Sequence, residues 1–285
     1  MRQNSAHKFK ILWLRRTVQL LTLLVLIAVP IITANPYRWS PSRIVLGHLP
    51  PPVVRPISGD TWAFKAGGFQ IVHPVAFVEA VVTSKVIYLP LVLALLLPLF
   101  ITLVFGRVFC SFFCPAGFVF ELNQKTHRLL GRIGLARKLP VRDIRVLLLV
   151  VCLAIGFLVS APVVSLFDPP HVIGRELMYL FTHHSLSVTG TGLILGILLY
   201  ETFLGPRTWC GSVCPSGGGL SVLGARRLLR IEMDKDRCIL CRKCNEACPY
   251  ELKPMNLATG DEFDWAKCDN CGLCRDTCPT GALSY

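Results

Sequence analysis

Four stretches of this chain are apolar over lengths close to the about 20 residues that a helix needs to cross the hydrocarbon core of a membrane. The first follows Arg15 and Arg16 and lacks a small-residue cleavage site, so it is predicted to be a retained helix rather than a signal peptide. The fourth is short and contains Glu201. The pattern predicts four transmembrane helices, at Val18–Ala34, Val86–Phe105, Val146–Val164 and Val188–Leu204.

The composition agrees with a membrane protein that carries a small polar part. Of the 285 residues, 53% are hydrophobic and 16% are charged, which is too apolar for an ordinary soluble protein of this size. The formal net charge is +13. Because no soluble face interleaves the basic residues with stacking aromatic side chains, the charge does not indicate nucleic-acid binding. We assign it to topology and to contact with the lipid bilayer.

Basic residues predict the orientation, because Lys and Arg are retained on the cytoplasmic side of a membrane. With both termini inside, 24 of the 30 Lys and Arg residues lie inside. The predicted location is therefore the cytoplasmic (inner) membrane of a bacterium, crossed several times, with both termini in the cytoplasm. Segments 35–85 and 165–187 become outer loops, and neither contains a cysteine. The first is rich in proline and is a candidate docking loop for an outer partner.

Eight of the thirteen cysteines form two runs with the spacing C-x2-C-x2-C-x3-C-P near the end of the chain. This is the ligand pattern of two-cluster bacterial ferredoxins, in which the fourth cysteine of each run binds the other [4Fe–4S] cluster. Zinc sites usually use two separated cysteine pairs, and disulfides do not require a duplicated run that ends in Cys-Pro. The expected ligands are Cys238, Cys241, Cys244 and Cys278 for cluster 1, and Cys268, Cys271, Cys274 and Cys248 for cluster 2.

A second cysteine motif, Arg-x2-C-x3-C-P, follows both the second and the fourth apolar stretch. The repeat predicts two helical hairpins related by duplication. Cys110, Cys114, Cys210 and Cys214 could converge on a third metal centre, either iron–sulfur or zinc. Each pair could instead cycle between dithiol and disulfide, or simply pack. We favour metal because the predicted compartment is reducing. The remaining cysteine, Cys152, lies in the third stretch and is predicted to pack.

These motifs together resemble the NapH/MauN family of membrane-bound ferredoxin-type proteins over almost the whole chain. The resemblance implies an α-helical membrane protein with four transmembrane helices over residues 1–225. It also implies a small cytoplasmic α+β two-cluster ferredoxin-like domain over residues 226–285. NapH-type proteins carry Pro-Glu-Pro after the fourth cysteine of the first run, whereas Cys248 is followed here by Pro249-Tyr250-Glu251. This departure favours the MauN branch.

In that family, the NapH branch takes electrons from membrane quinol towards a periplasmic nitrate reductase, and the MauN branch belongs to methylamine utilisation. The resemblance therefore implies an iron–sulfur electron-transfer protein that links the quinone pool to a periplasmic redox enzyme system through a separate redox protein or ferredoxin-type subunit. Whether the chain is a component of a quinol dehydrogenase or only a carrier stays open. The alternative is a maturation or assembly factor that supplies reducing equivalents for a periplasmic enzyme, with the C-x3-C pairs as a thiol relay.

A quinol releases protons with its electrons, so ionisable groups in or beside the spans are candidates for its site. Histidine titrates near physiological pH and can hydrogen-bond a quinol hydroxyl. Glu201 is expected to reach the membrane interface, with neutralisation of Arg207 or proton transfer as alternatives. The candidates are His73, Glu79, His171, His183 and Glu201, and the predicted outer loops also contain Asp168, Arg175, Glu176 and His184.

Overall fold

The computed structural model describes residues 10–33, 57–136 and 141–285, and these are mainly helical. Most of the proline-rich part of the loop 35–85 lies outside the described residues. In the first half, one long helix is followed by a three-stranded antiparallel sheet, a helical hairpin and the first cysteine motif. Its elements are α1 (Ile11–Thr33), β1 (Ile57–Gly59), β2 (Ala63–Ala66), β3 (Phe69–Val72), α2 (Pro74–Ser84), α3 (Leu89–Phe105), α4 (Val108–Phe112) and α5 (Pro115–Arg132).

The second half repeats this order without the sheet. A proline stands at the first position of α2, α5, α8 and α10, where its fixed φ suits a helix start and its missing N–H costs nothing. A π-helical turn replaces α4 at the second cysteine motif. The elements are α6 (Arg145–Val159), α7 (Val164–Phe167), α8 (Pro169–His183), α9 (Val188–Phe203), the π-helical turn (Trp209–Val213) and α10 (Pro215–Gly224).

The two halves are interlocked rather than side by side. Helix α1 packs on α8 of the second half, and its counterpart α6 packs on α2 of the first. In the same way α5 packs on α9, and α10 packs on α3. Each half therefore completes the packing of the other, and both cysteine motifs lie at the same end of the helices.

The apolar stretches form helices at the predicted places, but most are shorter than predicted. Within the described residues, one helix is both long and apolar enough to cross a membrane by itself, over Ile11–Ile31. Helices α3, α6 and α9 have 17, 15 and 16 residues. At 1.5 Å per residue, 17 residues cover about 26 Å, less than the about 30 Å of a hydrocarbon core. The topology of four transmembrane helices stays a prediction.

The described parts of the two segments predicted as outer loops, residues 57–85 and 165–187, contain helices and a sheet, and their side of the membrane stays a prediction. Helices α2 and α8 pack along α3 and α9, and their first residues return to the cysteine motifs. The His73 ring lies 4.6 Å from that of Phe109, and the Cys214 thiol donates to Asp168 Oδ1 at 3.5 Å. The hydropathy pattern records that α2 is apolar, but not that its 11 residues fold back along α3.

The C-terminal part is a small α+β unit that docks on the ends of α1 and α3. It contains β4 (Glu232–Met233), α11 (Lys243–Ala247), α12 (Asn256–Thr259), α13 (Leu273–Thr277) and β5 (Leu283–Ser284). Strands β4 and β5 pair antiparallel, and α11 packs on α13. The amide of Asn270 donates to the carbonyls of Phe105 at 2.8 Å and Leu229 at 3.0 Å. The Leu12 N–H donates to Asp276 Oδ2 at 2.8 Å. We call residues 231–285 the tail.

Candidate metal centres

The eight tail cysteines divide between two cavities, four to each. In both cavities the fourth cysteine comes from the other run, which is the exchange expected from the ferredoxin pattern. One cavity, the distal one, is lined by Cys238, Cys241, Cys244 and Cys278. The other, the proximal one, is lined by Cys248, Cys268, Cys271 and Cys274.

The backbone of both runs follows the same path around its cavity. Leu240 and Arg242 in the first run, and Asn270 and Gly272 in the second, have positive φ angles between 53° and 74°. Left-handed residues of this kind turn successive N–H groups towards one centre, and such nests occur at iron–sulfur sites. Each tail cavity therefore offers four thiols beside backbone turns of the kind that present N–H groups to a cluster.

Within the described residues, no three His, Cys, Asp or Glu side chains are gathered closely enough to hold a single metal ion. A [4Fe–4S] cluster takes one thiolate for each iron, so its ligands stand around a cuboid instead of around one ion. The four cysteines of each tail cavity are spaced around the cavity in this way, as the ligands of a cluster are, and not gathered at one point.

The two C-x3-C-P motifs form the same local structure. Cys114 is the N-cap of α5 and Cys214 the N-cap of α10. The N–H of Gly117 donates to Cys114 Sγ at 3.3 Å, and the N–H of Gly217 donates to Cys214 Sγ at 3.3 Å. A helix N-terminus favours negative charge, so both positions suit a thiolate.

Cys110, Cys114, Cys210 and Cys214 stand close enough to influence one another. Burial raises the pKa of all four thiols, and for Cys114, Cys210 and Cys214 the charge of neighbouring motif cysteines raises it further. The thiolate forms therefore need a compensating positive charge. A bound metal centre would supply that charge, and two arginines contribute to it.

The arginines of the motifs, Arg107 and Arg207, are 0% and 3% exposed. Arg107 Nη2 lies 4.0 Å from Cys110 Sγ, and the charge of Arg207 lowers the pKa of Cys210, against the larger effect of burial. The buried Nε atoms of both arginines have no hydrogen-bond partner among the described residues. Unused donors beside four thiols are what a sulfur-rich anionic group would engage.

Tyr250 connects the proximal cavity to these arginines. The centre of its ring lies 5.7 Å from the Arg107 guanidinium carbon and 5.4 Å from that of Arg207. It comes two residues after Cys248, a cysteine of the proximal cavity. Burial raises the pKa of its hydroxyl far above the ordinary value, so the ring is neutral.

The second cysteine run also contacts the first motif directly. The hydroxyl of Ser111, next to Cys110, donates to the carbonyl of Asp269 at 3.0 Å. Arg107 Nη1 donates to the carbonyls of Ala266 and Lys267, both at 3.3 Å. The proximal cavity therefore lies against the first motif, and the distal cavity lies beyond it.

On the other side of the motif cysteines, three buried side chains extend towards α8. The Trp62 Nε1–H donates to Asp168 Oδ2 at 2.7 Å, and the other oxygen of Asp168 accepts from Cys214. Burial raises the pKa of Asp168 to about 6. The Trp62 ring lies 6.2 Å from the ring of His73. Burial lowers the pKa of His73 to about 4.

The other sequence candidates are scattered. Glu79 accepts the N–H of Ser165 at 3.2 Å. Glu201 was expected to reach the interface, but it is 1% exposed and accepts the N–H of Trp209 at 3.0 Å, because the chain folds over it. Arg207 forms an ion pair with Glu121, at 3.5 Å, and also lies near enough to Glu201 for their charges to interact. Cys152 packs in the core, as predicted, and His171 and His183 line a separate groove.

The sequence pattern does not place Trp62 and Asp168 beside the motif cysteines and assigns no role to Tyr250. Tyr250 carried a signal, because it departs from the Pro-Glu-Pro pattern. Nothing in the sequence around Trp62 indicated its position, because that position depends on the three-stranded sheet packing at the end of the helices where the cysteine motifs lie.

Comparisons with known proteins find iron–sulfur domain matches in both the helical part and the tail. A family model described as a 4Fe-4S binding domain matches residues 87–133 and 188–231, which contain both C-x3-C-P motifs. Two further models with the same description match residues 261–284 and 230–252 in the tail. No solved structure matches the chain.

Curated relatives are similar over about three-fifths of the chain. The ferredoxin-type protein NapH of Escherichia coli K12 is 28% identical over 181 residues, which are 59% of this chain and 58% of the relative. The methylamine utilization ferredoxin-type protein MauN of Methylobacillus flagellatus is 30% identical over 179 residues, 61% of this chain and 60% of the relative.

The putative electron transport protein YccM of Escherichia coli K12 is 27% identical over 179 residues, 61% of this chain and 49% of the relative. The chain thus spans about half to three-fifths of the length of these relatives. The chain carries 4Fe-4S binding domains and is similar over about three-fifths of its length to the ferredoxin-type proteins NapH and MauN.

Proposed function

We propose that this protein passes electrons between the quinol pool of a bacterial cytoplasmic membrane and a separate redox protein, through three iron–sulfur centres in series. The observation that supports this most directly is the order of the cysteines. The distal cavity, the proximal cavity and the four motif cysteines follow one another, and Tyr250 and Asp269 join the last two.

The two tail cavities hold the proposed [4Fe–4S] clusters. Cluster 1 takes Cys238, Cys241, Cys244 and Cys278, and cluster 2 takes Cys268, Cys271, Cys274 and Cys248. The four cysteines that line each cavity support this assignment. Thiolate ligation keeps each cluster in place while it gains or loses one electron.

The motif cysteines Cys110, Cys114, Cys210 and Cys214 hold the proposed third centre. An iron–sulfur cluster is favoured over zinc for two reasons. The family model that spans both motifs is a 4Fe-4S binding domain, and zinc has no redox chemistry, so a zinc ion here would not extend the series.

A membrane location is supported by the surface of the helices. Apolar side chains on α1, α3, α6 and α9 are widely exposed, which in a protein marks contact with a membrane or a partner. They include Leu20, Leu21, Leu24, Leu93, Leu96, Phe100, Leu147, Val150, Phe157, Leu158, Leu195 and Leu199. We therefore place the helices in the bilayer and the tail in the cytoplasm.

The distal cluster is where a separate redox protein would exchange electrons. Cys241 is exposed, and the neighbouring Ile239 and Leu240 are 64% and 55% exposed. MauN relatives are named for methylamine utilization, and we propose an enzyme of that kind, or a nitrate reductase, as the system served. A further protein completes the route to the periplasm.

Metal analysis combined with electron paramagnetic resonance tests the proposal. Three [4Fe–4S] clusters predict about twelve iron atoms and twelve labile sulfides per chain. Cys110→Ser and Cys210→Ser should each remove one cluster's worth of iron and one spectral component. Cys152→Ser, a change to a packing cysteine, is the matched control. Excess quinol should then reduce the clusters of the unaltered protein.

The competing assembly-factor function predicts a different result. With two clusters and a thiol relay, Cys110→Ser would leave the iron content unchanged, and the motif thiols would react with alkylating reagents. Clusters that remain oxidised with excess quinol, at potentials where dithionite reduces them, would contradict quinol as the donor.

A further inference from the structure

An open groove lies between α1 and α8, and it marks a difference between the two halves. The corresponding contact in the other half, α6 on α2, is filled by a core of Trp62, Val75, Ala76, Cys152 and Val164. The groove instead leaves a cavity of about 560 Å³, within the range of roughly 300–1,000 Å³ that small-molecule sites occupy. Its lining is Leu26, Pro30, Gly59, Asp60, His171, Gly174, Arg175, Met178, Tyr179 and His183.

The groove has a paired acid and base at one end, and the polar side chains of Arg175, Tyr179 and His183 follow along α8 beside an apolar wall. His171 Nδ1 lies 2.7 Å from Asp60 Oδ2 at the start of α8. Leu26 of α1 and Met178 of α8 line the part beyond. From His171 to His183 the helix advances about 18 Å, so the groove fits an elongated molecule with a small polar head and an apolar body.

A glycine at position 174 makes room for the His171–Asp60 pair at the polar end of the groove. A Cβ atom at Gly174 would lie 2.8 Å from the Cβ of Asp60, so only glycine lets Asp60 approach α8 here. Asp60 is held in turn by the N–H of Trp62, which donates to its Oδ1 at 2.8 Å. The polar end is therefore fixed by the fold and does not depend on a mobile side chain.

A chain of side-chain contacts also connects the polar end of the groove to the motif cysteines. The ring of Trp62 lies 5.1 Å from that of His171. Its indole N–H donates to Asp168, which accepts from Cys214. A molecule whose head contacts His171 is therefore separated from the proposed third centre by two side chains, Trp62 and Asp168.

We propose that this groove binds a quinol, with its ring hydroxyl hydrogen-bonded to the His171–Asp60 pair and its chain along α1 and α8. This inference rests on the proposed function and adds the location of the site. A phospholipid would find Arg175 in the lining, but it would bring its phosphate against the carboxylate of Asp60 at the polar end, so it fits less well. A quinol hydroxyl can donate to that carboxylate or to the imidazole, which favours the quinol.

The test uses the full chain in lipid nanodiscs and an azido-ubiquinone analogue as a photoreactive probe. The label should fall in peptides of α1 and α8 and be displaced by unlabelled decylubiquinone. Met178→Trp, which fills the groove, should weaken binding about tenfold or more, and Asp60→Asn and His171→Gln about fivefold each, for one lost hydrogen bond. Leu147→Trp places the same bulk on an exposed position of α6 and should have no effect.

Three outcomes would overturn the site. They are labelling that decylubiquinone does not displace, unchanged affinity in Met178→Trp, and displacement of the probe by phosphatidylglycerol as readily as by decylubiquinone. The proposed function is judged separately, by reduction of the clusters. Clusters that quinol reduces normally in Met178→Trp mean that the groove is wrong and the function stands. Binding at the groove without reduction of any cluster means that the site stands and the quinol-driven function fails.

Discussion

At the scale of single residues, Tyr250 is the contact between the tail and the motif arginines. Two buried guanidiniums face the same ring, and each such contact is worth about 0.5–2 kcal/mol. The ring of Tyr250 therefore stabilises this contact more than its hydroxyl does. The hydroxyl makes one long contact, of 3.4 Å, with Arg207.

We expect Tyr250→Ala to loosen the tail and Tyr250→Phe to leave it in place. The alanine variant loses both cation–π contacts, which should speed release of the tail by a protease and alter the spectrum of the proximal cluster. The phenylalanine variant keeps the ring and should match the parent in both measurements. A phenylalanine variant as impaired as the alanine variant would show that the hydroxyl, not the ring, matters.

Gly117 and Gly217 give a prediction that distinguishes the two halves. A Cβ at Gly117 would lie 2.5 Å from the carbonyl oxygen of Cys110, whereas at Gly217 the nearest atom is Arg107 Nη2 at 3.2 Å. We expect Gly117→Ala to lower the free energy of unfolding by about 1–3 kcal/mol through overpacking, with loss of the third centre's iron. Gly217→Ala should retain the iron. Equal iron loss in both variants would contradict the asymmetry.

At the scale of elements, the chain pattern predicts which segments are helices better than where they go. The duplicated Arg-x2-C-x3-C-P motif indicates the repeat, and the structure shows the same order of elements twice. The interlocking of α1 with α8 and of α6 with α2 depends on long-range packing, for which a single sequence carries no periodic signal. The return of His73 and Asp168 to the cysteines was missed for the same reason.

The tail was easier to anticipate. The C-x2-C-x2-C-x3-C-P spacing constrains each loop locally, so the sequence predicts which cysteines share a cavity. The docking of the tail was not predictable, because Asn270 and Tyr250 contact backbone and side chains that are distant in the chain.

Helix α10 depends on glycine for its close approach to α6. A Cβ at Gly218 would lie 2.8 Å from the backbone carbon and oxygen of Arg145. Gly218→Ala should therefore cost about 1–3 kcal/mol, measured as a lower thermal unfolding midpoint. Gly192→Ala on α9 has open space around it and should be neutral or stabilising, because alanine favours a helix by about 1 kcal/mol. A neutral Gly218→Ala would mean that α10 lies farther from α6 than described.

At the scale of the whole molecule, the series of centres works only while the tail stays docked. Asn270 is central to that contact, since its amide donates to carbonyls of both α3 and the segment that leads into the tail. It is 4% exposed and has a φ of 53°, a left-handed conformation that Asn and Asp both tolerate.

Asn270→Asp therefore tests docking with little change in backbone preference. The new carboxylate faces two carbonyl oxygens and cannot donate to them, and an unpaired buried polar group costs about 1–3 kcal/mol, more if it is charged. The tail should separate from α3, so a protease should cleave near Leu229 while the iron of the two tail clusters is retained. Asn256→Asp, which removes a similar but exposed hydrogen bond to the carbonyl of Glu262, is the control. If Asn270→Asp kept the tail protected and the clusters still accepted electrons at the parent rate, the contact with α3 would be dispensable and electrons would have to reach the tail by another route.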